Sequence, residues 1–442
     1  MSPTTGVEQH LLRVRLALLV WLLVWAGCTH SMCTAREPRQ DPVTGKVRVM
    51  YVGRAIISGF YSQPEMPWAF KTPYPSLIVE PLLNVLLIDP VHYSGPMLDG
   101  WERMQRMIMP RSYKAMTSEL DVALFVGGYW QSLLLPQYRS WLRDGILEEG
   151  MGLSCTGVGG IGEPITDLLP VHVIPRKSWE MPAARGSLKW FSHIEIMDHN
   201  HELIKSLPWE TLTPPMNRFL GFDYAKARPG ADTLAVIKQG DIVGDFFVTW
   251  DIGTGRVFTI AAEWDAGHGG WSTDTGNIFT DGWFFSNWEY YGDFAINVLL
   301  YTAGVKIPQE HELRHLYRMR NEDYWRERYL LMDTINFVEK FGVNSFSLLV
   351  QAKENDDRRK QAESLYIDQD FDQALSWIDE VVEENYRLGE KAVRLKAQGL
   401  MWVWIIEYLT VAGTSLLTGA IIWTLMVKRR FYHEVGVTRK IF

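Results

Sequence analysis

The chain has 442 residues, of which 47% are hydrophobic and 22% charged, a folded composition with material for one large domain or two ordinary ones. A formal net charge of -8, with no basic block before the extreme C-terminus, speaks against a nucleic-acid partner. Three cysteines, Cys28, Cys33 and Cys155, are too few for a disulfide-built scaffold, so the fold must rest on its core.

Arg13 and Arg15 precede the apolar run LALLVWLLVWAG at 16–27, which has the charge and length of an export signal and is short for a membrane span. Ala26 and Gly27 stand before Cys28 as in a bacterial lipoprotein cleavage site, although Trp25 departs from the usual aliphatic residue. Lipidation of Cys28, cleavage between 28 and 35, and retention as an anchor all stay open.

After a polar linker, VRVMYVG reads as a first strand ending in glycine. SLIVEPLLN at 76–84 reads as a helix interrupted at Pro81, and VLLIDP at 85–90 as a second strand. Between 121 and 163, DVALFVGGYW, LPQYRSWLRDGILEEG and MGLSCTGVGGIGE describe a strand, a crossover helix and another strand. Short apolar runs bounded by glycine favour buried parallel strands, and parallel pairing needs such a crossover. Ligands of open α/β sheets sit at the carboxyl ends of the strands, which directs attention to Gly127, Gly128 and the 156–160 turn.

NHELIKSLPW at 200–209 reads as a short helix with an Asn cap. ADTLAVIK, DFFVTWD and RVFTIAAEWD follow as antiparallel strands extending the sheet, with IGTG at 252–255 as a turn. WFFSNWEYYGDFAINVLLYTAG at 283–304 has helical spacing and closes the domain. From Pro308 the chain is charged and glycine-poor, and reads as solvated juxtamembrane helices, the last two resembling a tetratricopeptide-type hairpin.

The uncharged run YLTVAGTSLLTGAIIWTLMV at 408–427 is long enough to cross the hydrocarbon core. Lys428, Arg429, Arg430, Arg439 and Lys440 follow it, so the positive-inside rule places the tail in the cytoplasm and the bulk of the chain outside. Trp402, Trp404, Tyr408 and Trp423 suit interfacial anchoring, and Glu407 a boundary position within reach of water. The expected organisation is a signal peptide or anchor at 1–35, an α/β domain at 46–305, a helical stalk at 306–400, a transmembrane helix at 401–427 and a basic cytoplasmic tail at 428–442.

Residues 47–304 resemble the class I glutamine amidotransferase-like superfamily, in the branch found in exported or membrane-attached bacterial and archaeal proteins. The matching pieces are VRVMYVG, DVALFVGG, GMGLSCTGVGG, DLLPV, HELIKSLPW, GRVFTIAAEWDAGH and the aromatic residues of the closing helix. The resemblance implies a flavodoxin-like three-layer α/β fold, with Gly127 and Gly128 beside an oxyanion hole. Active members carry a cysteine on the strand-end elbow and a later His/Glu pair. Here the elbow falls on Gly157, with Cys155 two residues earlier, so the resemblance implies a domain without glutaminase chemistry that binds a ligand or partner.

Cys155 has two readings, core packing and a thiol nucleophile in a shifted register. Glu263, Asp265 and His268 offer an acid/base or metal-binding set, against a loop held by carboxylate-to-backbone bonds. Trp264 and Trp271 flank a glycine-rich loop as candidate ligand platforms, whereas Trp283, Trp288, Tyr290 and Tyr291 suit packing. His193, His199 and His201 with Asp198 and Glu202 suggest capping and surface exposure before zinc. No cofactor or metal is expected. The alternatives to a binding module are an envelope hydrolase using Asp265, His268 and Glu263, and a structural subunit contacting an envelope protein through the stalk. The ligand, a small molecule or a glycan, is left open.

Overall fold

Five strands carry the parallel half of a nine-stranded sheet: β1 (Val47–Val52), β2 (Leu83–Ile88), β3 (Val122–Val126), β4 (Gly152–Thr156) and β11 (Gly255–Ile260). They belong to a computed structural model that describes residues 37–53, 74–88, 98–126, 134–158, 163–174, 191–214, 218–220, 225–239, 242–261, 285 and 288–438. Contacts divide the chain into two units, 1–78 with 82–309, and 79–81 with 310–442.

In the first unit the order across the sheet is β2-β1-β3-β4-β11-β10-β9-β6-β7, where β6 is Phe191–Ile196, β7 Arg218–Leu220, β9 Asp232–Gln239 and β10 Ile242–Ile252. Neighbours from β2 to β11 pair in parallel, and those from β11 to β7 antiparallel. β5 (Val171–Val173) and β8 (Ala225–Ala227) form a separate antiparallel pair. The fold is therefore a mixed α/β sheet followed by a helical C-terminal region.

The local sequence explains the central elements. Every residue of β3 and β4 is buried: β3, VALFV, reads as a continuous apolar run, and β4, GLSCT, places the small polar residues Ser154 and Thr156 inside as well. Between them lies the crossover helix Pro136–Glu148, begun by a proline whose missing N–H costs nothing at a helix start. The helix Tyr113–Glu119 before β3 is capped by Ser112, whose Oγ accepts from the Ala115 N–H at 3.1 Å, worth about 1 kcal/mol. The closing helix Tyr291–Thr302 is buried along its length and packs on β1, β3, β4 and β11.

Two boundaries differ from the sequence reading. The first helix spans Tyr74–Val79 and stops before Pro81, so Leu83 and Asn84 belong to β2. A proline lacks the N–H to continue a helix, and the strand claims the residues beyond it. The cap of the short helix Glu202–Lys205 is His201, one residue after the expected asparagine.

The second unit comprises the helices Phe346–Ile367 and His311–Glu339, the long helix Phe371–Thr438, and the short segment 79–81. The picture of solvated helices needs correction here. Leu331, Ile335, Leu348, Ala352, Leu388 and Ala392 form a common core, and Arg314, His315, Arg318, Asn321, Asn355 and Asn385 are buried as well. Asn355 Nδ2 bonds both Asn385 Oδ1 at 2.9 Å and the Val381 carbonyl at 2.8 Å, so polar groups supply part of the packing. The tyrosines Tyr317 and Tyr366 stack with ring centroids 4.4 Å apart, and burial raises the Tyr317 phenol well above its ordinary range. The terminal helix carries a stretch long and apolar enough to cross a membrane, fully exposed in the unit. The apolar stretch and the segment before it form one helix without a break, Phe371–Thr438.

Candidate functional site

Parallel pairing brings the carboxyl ends of the central strands to one edge. Val52 faces Phe125, Val126 faces Thr156, and Thr156 faces Ile260. Immediately beyond these ends the backbone turns on glycine. Gly157 adopts φ +67, a left-handed conformation that costs a non-glycine residue roughly 1–2 kcal/mol, and its N–H donates to the Ile260 carbonyl at 3.1 Å. Gly53 donates to the Ile88 carbonyl at 3.1 Å, and a Cβ there would stand 2.8 Å from both the Cβ and the carbonyl oxygen of Val126. Gly53 and Gly157 thus bring backbone close to the edge where α/β sheets take ligands.

Of the residues proposed at the strand-end site, Gly157 and Cys155 fall among those described. Gly127 and Gly128, directly after β3, lie outside them, as do Glu263, Trp264, Asp265, His268 and Trp271, which follow β11 in the chain. Cys155 sits within β4 opposite Phe125 and Thr259, with no exposed surface. Burial pushes its thiol far up, so the strand holds it neutral and poorly nucleophilic.

A second polar group, not foreseen from the sequence, joins His201 to the closing helix. His201 caps its own helix through Nδ1, which accepts from the Leu203 N–H at 3.3 Å, while Nε2 lies 3.2 Å from the Tyr301 hydroxyl. Thr249 on β10 donates to the same hydroxyl at 3.2 Å. The Arg256 guanidinium stands 4.1 Å from the Tyr301 ring centroid and donates to Asp251 at 2.8 Å, with Glu202 3.7 Å away. Desolvation lowers the His201 pKa and raises that of Tyr301. A neutral imidazole bonded at both nitrogens is an orienting element between helix and sheet. Among the described residues no group of three His, Cys, Asp or Glu side chains is placed to hold a metal ion. The sequence clue was the Tyr301 hydroxyl near the end of a mostly apolar helix, which must find partners once buried.

The aromatic residues of the closing region pack on one another. Trp209, Phe247, Phe285, Trp288 and Phe294 form a cluster with centroid separations of 4.9 Å for Trp209–Trp288 and 5.0 Å for Phe247–Phe294. Both indole N–H groups find acceptors, Trp288 at Thr211 Oγ1 and Trp209 at the Ile204 carbonyl, each at 2.8 Å. Trp288 and Tyr291 are buried, so their rings serve the core. Trp283 lies outside the described residues.

No protein-family model and no curated protein matches the chain. Among solved structures it is similar to a β-galactosidase from Bacillus circulans sp. alkalophilus, at 13% identity and a TM-score of 0.32, over 60% of this chain and 32% of the other. It is also similar to an exo-β-1,4-mannosidase from Opitutaceae bacterium strain TAV5, at 11% identity and a TM-score of 0.29, over 59% of this chain and 36% of the other. The chain thus spans about a third of the length of these enzymes. At such TM-scores neither likeness assigns an activity.

These findings correct the resemblance drawn from residues 47–304. The named neighbours are glycoside hydrolases rather than glutamine amidotransferases, and no family model supports the latter. The glutamine amidotransferase-like fold class and the inactive binding module derived from it are both withdrawn. The physical reason lies in the motifs themselves. Apolar strands ending in glycine suit any parallel sheet whose backbone turns tightly at one edge, as at Gly53 and Gly157, and they identify no single family.

Proposed function

We propose that the chain is a membrane-anchored hydrolase of the cell envelope whose reaction site lies at the carboxyl edge of the parallel strands. One observation carries this reading: β11 pairs in register with β4 and ends at Ile260 beside the Gly157 turn, and the chain running on from it contains Glu263, Asp265 and His268. In this proposal His268 takes a proton from the attacking water, Asp265 orients and stabilises the imidazolium, and Glu263 completes the acidic set. Trp264 and Trp271 provide flat apolar faces for the substrate, and the backbone near Gly127, Gly128 and Gly157 admits it closely. The terminal helix holds the domain at the membrane, with the basic tail after 427 cytoplasmic and the sheet domain outside.

The test uses full-length protein in detergent and a panel of p-nitrophenyl esters, phosphates and glycosides. Turnover of one substrate class that disappears in both Asp265→Asn and His268→Gln, with the circular dichroism unchanged, supports the reading. Full turnover in both variants overturns it.

A second reading, a subunit of a membrane assembly, is favoured by the apolar residues Leu316, Met319, Trp325, Tyr329 and Leu330, all exposed on the helix His311–Glu339. Cross-linking that recovers a partner through Tyr329, lost in Tyr329→Glu, would favour this reading over the first.

A further inference from the structure

The end of the three-helix unit nearest the apolar span exposes aromatic rings that the helical core does not use. To describe it, the helices His311–Glu339, Phe346–Ile367 and Phe371–Thr438 are α7, α8 and α9 in chain order, after α1 (Tyr74–Val79), α2 (Leu98–Ile108), α3 (Tyr113–Glu119), α4 (Pro136–Glu148), α5 (Glu202–Lys205) and α6 (Tyr291–Thr302). The turn between α7 and α8 lies against α9: Val343 Cγ2 and Phe341 Cβ stand 3.0 and 3.9 Å from where a Cβ would sit on Gly399. Just below, Lys396 Nζ lies 4.6 Å from the Phe337 ring centroid.

The register of α8 against α9 brings Phe346 to the same end. Arg358 bonds Glu380, Asn355 bonds Asn385, and Gln351 bonds Lys391, so the antiparallel pairing carries Phe346 to the level of Lys396. Phe346 is 70% exposed and Phe341 39%. Leu400, Met401, Trp402 and Trp404 continue the exposed apolar surface along α9 without interruption.

We infer that this end of the helical unit is a second membrane contact, in which Phe341 and Phe346 rest in the lipid headgroup layer beside Trp402 and Trp404. The occupant is the same bilayer that α9 crosses, and the inference rests on that crossing. Dimensions support it. The stretch 401–427 is about 40 Å long at 1.5 Å per residue, close to the ~40–45 Å of a bilayer with its headgroups. Gly399, which the 341–343 turn lies against, is then about 3 Å beyond the headgroup surface and the level of Lys396 and Phe346 about 7.5 Å, comparable with the length of a phenylalanine side chain tilted toward the N-terminal end of α8. Lys340 is exposed at the same end and can meet lipid phosphates while its stem covers apolar surface. Interfacial placement also removes the cost of leaving two phenylalanine rings in water.

The experiment uses full-length Phe346→Cys, Leu416→Cys and Asp368→Cys proteins carrying a polarity-sensitive thiol label, in phosphatidylcholine vesicles containing phosphatidylglycerol. The signal of the unsubstituted protein put through the same labelling is subtracted. Asp368, at the far end of α8, is the aqueous control. The expected result is a blue shift at 346 with loss of emission to lipids spin-labelled near the headgroup, loss at 416 to lipids labelled deep in the chain, and neither at 368. Emission from 346 as in water, or a blue shift without lipid quenching, overturns the inference while quenching at 416 leaves the span intact. Absence of quenching at 416 removes both.

Discussion

Asp121 holds Arg48 by three donors at once. The guanidinium gives Nη2 to Oδ1 at 2.7 Å and Nε to Oδ2 at 2.9 Å, and the Arg48 backbone N–H reaches Oδ2 at 2.9 Å. The carboxylate is buried and the arginine partly open to water. The pair ties the start of β1 to the start of β3 at the edge of the sheet opposite Gly157. Removing one member of a buried pair leaves the other without compensation. Asp121→Ala should cost about 2–3 kcal/mol, the low end for such pairs because Arg48 retains water. Thermal denaturation of the full chain checks this, and an unchanged midpoint would contradict it.

His201 predicts an acid sensitivity. Burial lowers its proton affinity in the folded state, so the unfolded chain takes up the proton first as pH falls. The stabilising contribution is complete above the unfolded value of about 6.5 and declines as pH drops from there through the lowered folded value. His201→Asn keeps a capping oxygen for the Leu203 N–H but removes the titration. Between pH 8 and 5.5 the denaturation midpoint of the natural chain should fall more than that of His201→Asn. Equal falls would show that another group governs the response.

Cys155 should behave as a core side chain. Its thiol is fully buried and held neutral, so iodoacetamide should leave it unmodified in the native protein and modify it in guanidinium, as read by peptide mass spectrometry. Cys155→Ser buries a hydroxyl beside Phe125 and Thr259, where the Thr259 hydroxyl can offset part of the loss, and should cost about 1 kcal/mol. Rapid native alkylation at this position would return it to the list of nucleophiles.

In the helical unit, Arg328 grips Asp356 with Nε and Nη2, each at 2.8 Å, and the Tyr324 hydroxyl donates to the same carboxylate. Burial works to raise the Asp356 pKa, but these donors outweigh it and the net shift is downward. The contribution to stability is therefore present above the ordinary aspartate range and lost as pH falls through the lowered value. Arg328→Lys keeps the charge but not the planar fork, and should destabilise by about 1–2 kcal/mol, measured as a lower midpoint in urea. A lysine variant as stable as the natural chain would mean that charge alone suffices.

The parts of the fold legible in the sequence were those set by neighbours along the chain. β1, β3 and β4 announced themselves as apolar runs ending in glycine, and the turn at 252–255 joins β10 to β11 as its glycines require. The terminal helix, long and apolar enough to cross a membrane, was legible because it carries twenty residues in a row without charge. What stayed hidden depends on distant pairing. Nothing local to His201 names Tyr301, a hundred positions away, as its partner. In α7 the buried stripe Arg314, Tyr317, Arg318, Asn321, Tyr324, Leu331, Ile335 and Val338 follows helical spacing, but its first half is polar and so resembled a solvated face. Of the strand-end glycines read from the sequence, Gly157 falls directly after β4 in a left-handed turn, whereas the family meaning given to such turns did not survive comparison, because they serve many folds.

The helix α9 has one further consequence. From Phe371 to Thr438 it runs for 68 residues, roughly 100 Å at 1.5 Å per residue, and its hydrogen-bonded backbone has no joint where water gives way to lipid. Leu388 and Ala392 are gripped by the helical core at one end, while Lys428 and Arg429 stand at the other. If α9 crosses a membrane, the segment held in the helical core and the segment bearing Lys428 and Arg429 belong to one unbroken helix, so a displacement of one end is carried along a continuous hydrogen-bonded backbone to the other.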